Sequence, residues 1–253
     1  MEDKTFSLYL QDRELKISLN NWAEQANGNL VVRTGDTTVL LTAVMSRTKN
    51  AGLGFFPLTV DYEERFYAAG KILGSRFMRR EGRPSDEAII TARVIDRAIR
   101  PLFPKRFFRE TQVIATCLSW DSHNDSDVIA LFGASLALGL SDIPWKGPLG
   151  AVRVGRIDGK FIYNPTYEER AESELDFVIA GVKEGKEVMF NMIESESSEI
   201  SESTFEEALA FAKPLIEKQI EFQEEIISKH GKEKLPHEEN AKDESSCRTA
   251  SFS

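Results

Sequence analysis

The feature that most constrains the fold is residues 127–140, Asp-Val-Ile-Ala-Leu-Phe-Gly-Ala-Ser-Leu-Ala-Leu-Gly-Leu, which carry no charge after the first residue. An apolar run of this length, rich in Ala and Leu, predicts a buried helix. Gly133, Ala134, Ser135 and Gly139 keep its side chains small enough for close packing against a sheet. The preceding sequence supplies strands for one. Residues 5–10 and 14–19 alternate about a turn at Asp12-Arg13. Residues 29–33 and 37–44 flank Gly35-Asp36, and the nearly continuous apolar run at 39–44 predicts a central strand. Residues 55–62 form a further strand, with Pro57 near its start or on an edge. Residues 112–120 form another.

Beyond the buried helix, residues 144–148 read as a linker. Strands follow at 150–156 and 160–163, joined through Asp158-Gly159, a typical hairpin pair. Two more, at 175–182 and 187–193, flank Glu184-Gly185. Residues 203–229 predict a long helix or helix pair, with Ser201 or Ser203 as its cap. From Lys232 onward the chain is rich in Glu, Lys and Ser, lacks periodicity and reads as disordered. Strands, helices, more strands and a last helix describe an α+β protein.

The net charge of −9 argues against a nucleic-acid partner until its distribution is considered. Residues 76–109 hold nine Arg and one Lys against four acids, a window of +6 in a remainder of −15. Residues 184–253 alone carry −9. A basic island in an acidic chain suggests a local polyanion site, and the preference for Arg over Lys suits bidentate phosphate contacts. A solvated charged surface is the alternative.

Overlapping the start of the island, residues 63–84 have three glycines and no period, and read as a long loop, or a short helix followed by a loop, of the kind that is usually functional. Pro84-Ser85 with Asp86 and Glu87 then starts a helix that runs to about Ile99 and stops before Pro101. On it Arg93, Arg97 and Arg100 stand at i, i+4 and i+7 and share one face, with Asp96 off the stripe; Ala88, Ile95, Ala98 and Ile99 lie opposite. A nucleic-acid backbone would answer such a stripe with phosphates; carboxylate partners or solvation would also satisfy it. In the loop, Arg76-Phe77-Met78-Arg79-Arg80 sets an aromatic ring among cations. Phe77 either stacks on an unpaired base or anchors the loop to the core.

No apolar run approaches the ~20 residues that span a bilayer, and the acidic N-terminus is no signal peptide. Two cysteines, Cys117 and Cys247, offer neither a disulfide framework nor metal-ligand spacing, and Cys117 reads as a buried small residue. The expected compartment is the cytoplasm, with no membrane partner.

Residues 74–85, Gly-Ser-Arg-Phe-Met-Arg-Arg-Glu-Gly-Arg-Pro-Ser, resemble the channel loop of the polynucleotide phosphorylase family. Residues 92–104, Ala-Arg-Val-Ile-Asp-Arg-Ala-Ile-Arg-Pro-Leu-Phe-Pro, resemble the helix after it; residues 28–42, 56–62 and 132–135 are also similar. The likeness covers about residues 5–230. Met78 departs from it, standing where the family usually has a second Phe.

The resemblance implies a ribonuclease PH-type core, related to the second domain of ribosomal protein S5, followed by a helical segment. The implied organisation is 5–143 and 147–212 as the two parts of one core, 213–232 as the start of an all-helical linker, and 233–253 as a disordered tail outside the family. It implies a phosphorolytic 3′-to-5′ exoribonuclease acting on single-stranded RNA and mRNA, releasing nucleoside diphosphates reversibly. Magnesium would assist, with inorganic phosphate as co-substrate, in a homotrimeric ring that can join RNA-degradation complexes. It further implies RNA contacts from Phe77, Arg79, Arg80, Arg93, Arg97, Arg100 and Arg153.

In that family the metal-binding carboxylates and phosphate-binding serines belong to a second core. Here the matching strand is expected over residues 170–177, with Arg170 where the catalytic copy has an Asp, and Arg cannot ligate magnesium. His123-Asn124-Asp125-Ser126-Asp127 replaces the serine cluster, and Asp125 and Asp127 would repel phosphate. The expectation is a non-catalytic core with no metal site, in which Asp176 is structural. The alternative is a stand-alone RNA-binding or assembly subunit of an exosome-like ring.

Overall fold

The computed structural model describes residues 4–49, 54–72, 74, 82–185 and 187–236. The N-terminal strands β1 (Lys4–Leu10), β2 (Arg13–Leu19), β3 (Gly28–Thr34) and β4 (Thr37–Lys49) form an antiparallel meander. The chain then passes through β5 (Leu58–Glu64), a 3-10 turn at Phe66–Ala69, helix α1 (Asp86–Ile99) and β6 (Arg109–Ser119). Strand β6 pairs antiparallel with β4 and parallel with β5, giving the order β1-β2-β3-β4-β6-β5. A parallel pair cannot be closed by a tight turn, so the loop and α1 form its crossover.

Helix α2 (Asp127–Leu140) follows, then a second sheet of β7 (Leu149–Ile157), β8 (Lys160–Tyr163), β9 (Leu175–Glu184) and β10 (Glu187–Ser197), ordered β10-β9-β7-β8. All its pairings are antiparallel. Short helix α3 (Tyr167–Ala171) lies between β8 and β9, and α4 (Glu202–His230) is the last element among the described residues. The α+β class stands, with one parallel pair within it.

As expected, α2 is buried: thirteen of its fourteen residues are inaccessible. It packs on β3 and β4 of one sheet, on β7 of the other, and on α1 and α4. Gly133 meets the first sheet, where an added Cβ would lie 2.5 Å from Leu41 Cδ2. Gly139 packs instead against Ile227 of α4.

Helix α4 completes what the short strand β8 leaves undone. Strand β8 covers only Val154–Ile157 of β7, so the start of β7 needs other partners. Buried Gln219 accepts from the Ala151 amide (2.7 Å), and Gln223 donates to the Leu149 carbonyl (2.7 Å). Ser135 of α2 joins them, donating to Gln223 Oε1 (2.7 Å) and accepting from the Leu149 amide (2.9 Å). Burying backbone groups at this seam is tolerable only because these side chains pair with them.

Several expectations are corrected. Residues 203–229, read as one long helix or a helix pair, lie in a single helix, α4, whose Leu215, Ile216, Ile220 and Ile226 are buried in the core. Residues 170–177 are not one strand: Arg170 and Ala171 end α3, and β9 begins at Leu175. The expected linker at 144–148 is packed, with Pro144 and Trp145 buried and the Trp145 indole donating to the Ile99 carbonyl at 3.1 Å. Residues 232–236, within the tail expected to be disordered, are held against α2. Ser201, one of the two proposed caps, accepts from the Thr204 amide at 3.2 Å.

The contact of Gly133 with β4 gives a direct test. Gly133→Ala drives a methyl group into Leu41 and is expected to destabilise the fold by about 1–3 kcal/mol, the usual cost of overpacking. Gly82→Ala, with nothing within 4 Å of the added atom, is the control and leaves the denaturation midpoint unchanged.

Candidate functional site

Helix α1 begins where Ser85 Oγ accepts from the Ala88 amide (3.0 Å) and donates to Glu64 Oε2 (2.8 Å), with Asp86 and Glu87 in its first turn. Its buried face is Ala88, Ile95, Ala98 and Ile99, as the periodicity predicts. The arginines opposite have different environments. Arg93 is exposed and has no ion-pair partner among the described residues. Arg97 is exposed and pairs with Glu194 of β10. Arg100 is a structural tie: it donates from Nε to Asp96 (2.8 Å), from Nη1 to the Phe56 carbonyl (3.2 Å) and from Nη2 to the Leu58 carbonyl (3.1 Å). Its guanidinium also lies over the Phe56 ring, 5.7 Å from the centroid. The stripe is therefore not purely cationic, because Asp96 turns onto it one helical turn from Arg100. Phe77, Arg79 and Arg80 lie outside the described residues.

A second group of charges gathers where α2, α3 and the second sheet meet. The loop leading to α2 is organised by Asp121, which accepts from the amides of Asp36 (3.1 Å), His123 (2.9 Å) and Asn124 (2.8 Å) and from Asn124 Nδ2 (2.7 Å). Burial pushes its carboxyl upward, but the bonds from Asn124, His123 and Asp36 outweigh this and hold it well below the usual carboxylate range. Asp125 then accepts from the Asp127 amide (3.2 Å), and Asp127 from that of Val128. The first turn of a helix offers free amides and a positive dipole end that elsewhere binds phosphate. Here the chain's own carboxylates take that place.

Arginines answer those carboxylates. Arg153 of β7, 8% exposed, pairs through Nη1 with Asp125 and Asp127 and through Nε with Asp176 of β9 at 2.7 Å. Arg170, on the last turn of α3, pairs with Asp176 (Nη2–Oδ2 2.8 Å) and with Asp125. Three aspartates hold the Arg153 guanidinium above its usual value despite its burial. Burial, with Asp125 beside it, pushes the Asp127 carboxyl up to about 7. Tyr62 shares a short hydrogen bond with Ser126, and its hydroxyl is pushed upward by burial.

These groups form the floor of a cleft of about 750 Å³ whose rim carries Glu64, Glu87, Glu174 and Glu196. The expectation that Arg153 contacts RNA is corrected: its guanidinium is turned into three carboxylates. Asp176 is clamped between Arg153 and Arg170. Among the described residues no group of acids, histidines or cysteines is arranged to hold a metal ion. The oxygens that face one another here already meet guanidinium groups, so magnesium does not fit this cluster.

Sequence reasoning missed the reach of these pairs, which join residues 6 to 45 positions apart, all but Arg170–Asp176 separated by at least 23. One local signal was available. Thr166 and Glu169 form a capping box, in which each side chain binds the other's backbone amide, and it announces α3 and the placement of Arg170.

Domain 1 of the 3′ exoribonuclease family (RNase PH) matches residues 11–144, and its domain 2 matches residues 147–213. The chain belongs to this family. It is 49% identical over 238 residues to the polyribonucleotide nucleotidyltransferase of Caldicellulosiruptor saccharolyticus, covering 94% of this chain and 33% of that one. It is 48% identical over 231 residues to the protein of the same name from Heliobacterium modesticaldum, covering 91% and 32%. The chain thus spans about a third of the length of the curated relatives it matches. The crystal structure of rice (Oryza sativa) Rrp46 superposes with a TM-score of 0.65 at 14% identity, over 89% of this chain and 94% of that one, and shows the shared fold.

The cluster makes a pH prediction. The Asp127 carboxyl titrates near 7 in the folded chain and near its ordinary 3.8 when unfolded. Between these values the folded chain holds a proton that the unfolded chain has lost, so stability falls as pH rises through that window. Asp127→Asn, which cannot ionise, is expected to flatten that part of the plot of unfolding free energy against pH. An unchanged slope in urea titrations between pH 4 and 7 would assign it to other groups.

Proposed function

We propose that this chain is the RNA-guiding, non-catalytic core of a phosphorolytic 3′-to-5′ exoribonuclease that acts on single-stranded RNA. The observation that carries this reading is the closed charge cluster. Phosphorolysis requires an anionic phosphate to approach an anionic diester, so a site for it needs unengaged cations or a metal ion. At the floor of the cleft both arginines face aspartates, the helix N-terminus is filled by Asp125 and Asp127, and glutamates line the rim.

The relatives' name, polyribonucleotide nucleotidyltransferase, supports the reaction class, in which nucleoside diphosphates are released or re-added. On this reading the chemistry, with magnesium and inorganic phosphate, belongs to a different core, and the assembly is a homotrimeric ring in the cytoplasm. This chain's part is to lead RNA along α1 and the Arg-rich segment at 76–83. Arg93 and Arg97 are the exposed arginines of α1 that serve it, Arg97 by giving up Glu194, while Arg100 is engaged by Asp96 and the Phe56 and Leu58 carbonyls.

Incubated with single-stranded RNA, inorganic phosphate and magnesium, the 253-residue chain is expected to release no nucleoside diphosphate. Chromatographic detection of such release from a pure sample would overturn the non-catalytic assignment.

RNA guidance has its own test. If Arg93 and Arg97 each neutralise one phosphate, replacing both with Ala flattens the plot of log affinity against log salt by about 1.4, at ~0.7 per single-strand contact. Arg100→Ala is expected to leave that slope alone and to lower the melting temperature. An unaltered slope in the double variant would remove α1 from the RNA path.

A further inference from the structure

The C-terminal end of α2 presents a problem that residues far away in sequence resolve. The last four carbonyls of a helix have no partner within it, and the end of α2 is buried. The Ala137 carbonyl accepts from the Ser141 amide (3.1 Å). The Leu138 carbonyl accepts from Ser141 Oγ (2.7 Å) and from Lys234 Nζ (2.6 Å). The same ammonium donates to the Gly139 carbonyl (3.0 Å) and to that of Ser141 (2.7 Å). The Leu140 carbonyl accepts from the Lys232 amide (3.0 Å). Residues beyond α4 therefore serve three of the four carbonyls, across 92 to 96 positions of sequence.

The same short segment is tied down around this ammonium. The Leu235 amide donates to the Asp142 carbonyl (2.8 Å), and Lys232 Nζ to the Asn27 carbonyl (2.6 Å). Asn27 is itself fixed, accepting from the Met45 amide (2.8 Å) and donating to Asp142 Oδ1 (2.7 Å). We infer that residues 231–236 are a latch, closed by the Lys234 ammonium in a site of three carbonyl oxygens, that caps α2 and fixes the direction in which the chain leaves α4.

An ammonium suits this site for two reasons. Its three donors match three acceptors, and its charge complements the negative end of the helix dipole. The charged groups around it are few. α2 has no charged side chain after Asp127, Asn27 is neutral, Lys232 is engaged elsewhere, and Asp142 is held by Asn27. Burial pushes the Lys234 ammonium down to about 8, with Asp142 pulling the other way. The latch therefore weakens as the proton leaves in mildly alkaline solution, because a neutral amine donates fewer and weaker bonds.

Amide hydrogen exchange on the full chain tests this. In Lys234→Met the protection of the Lys232 and Leu235 amides is expected to fall at least about tenfold, the loss anticipated for charge-assisted bonds, while the β4 amides keep theirs. In the wild-type chain the protection factors of the same two amides are expected to fall between pH 7 and pH 10, again with β4 unchanged. Undiminished protection in Lys234→Met would overturn the latch. So would wild-type protection that is the same at both pH values, and this second arm decides the matter if the variant does not fold.

Discussion

A fourteen-residue helix with thirteen buried residues has nowhere to send its terminal backbone groups except into the protein itself. Much of the structure follows from that constraint on α2. At its start Asp125 and Asp127 accept from free amides, and those carboxylates then need counter-charges. Arg153 and Arg170 supply them and thereby bring the second sheet and α3 to the same end. At its finish Ser141, Lys232 and Lys234 take up the carbonyls, which draws the segment after α4 across the helix. Along its length Ser135 reaches Gln223 and Leu149, so α4 and β7 are aligned to it as well.

The parts legible in the sequence are those governed by local periodicity. The extent of α2, the apolar face of α1 and the hairpin at Asp158-Gly159 each depend on residues within one or two turns of each other. Asp158 and Gly159 both take positive φ, 50° and 74°, the requirement that made the pair recognisable. The fates of the arginines were not legible in the same way. Arg97 is answered by Glu194, 97 residues on, and Arg153 by carboxylates from the loop before α2 and from β9. A stripe of cations shows which side chains share a face, while their partners are decided by the elements packed beside that face. Asp96 was within local reach and was set aside, although a carboxylate at i to an Arg at i+4 is a favourable helical pair. The disorder expected after Lys232 rested on composition, and composition carries no information about three carbonyls waiting 93 to 96 residues earlier.

The charge cluster is better understood as a device for alignment than as a source of stability. Removing five ionised groups from water costs several kcal/mol per ion, and their mutual attraction recovers it only with close geometry. Three aspartates against two arginines leave one negative charge in excess. That is the physical sense of a carboxyl pushed up to about 7 beside Asp125. The members come from the α2 loop, β7, α3 and β9, so satisfying all of them at once permits one placement of the second sheet relative to α2. The same arrangement bears on the proposed function. A cleft whose cations are already matched, and whose rim is glutamate, repels a phosphate backbone, whereas on α1 Arg93 is exposed without an ion-pair partner among the described residues and Arg97 is exposed beside Glu194. The positive charge of this acidic chain is concentrated between residues 76 and 109, and the arginines at the cleft floor contribute none of it.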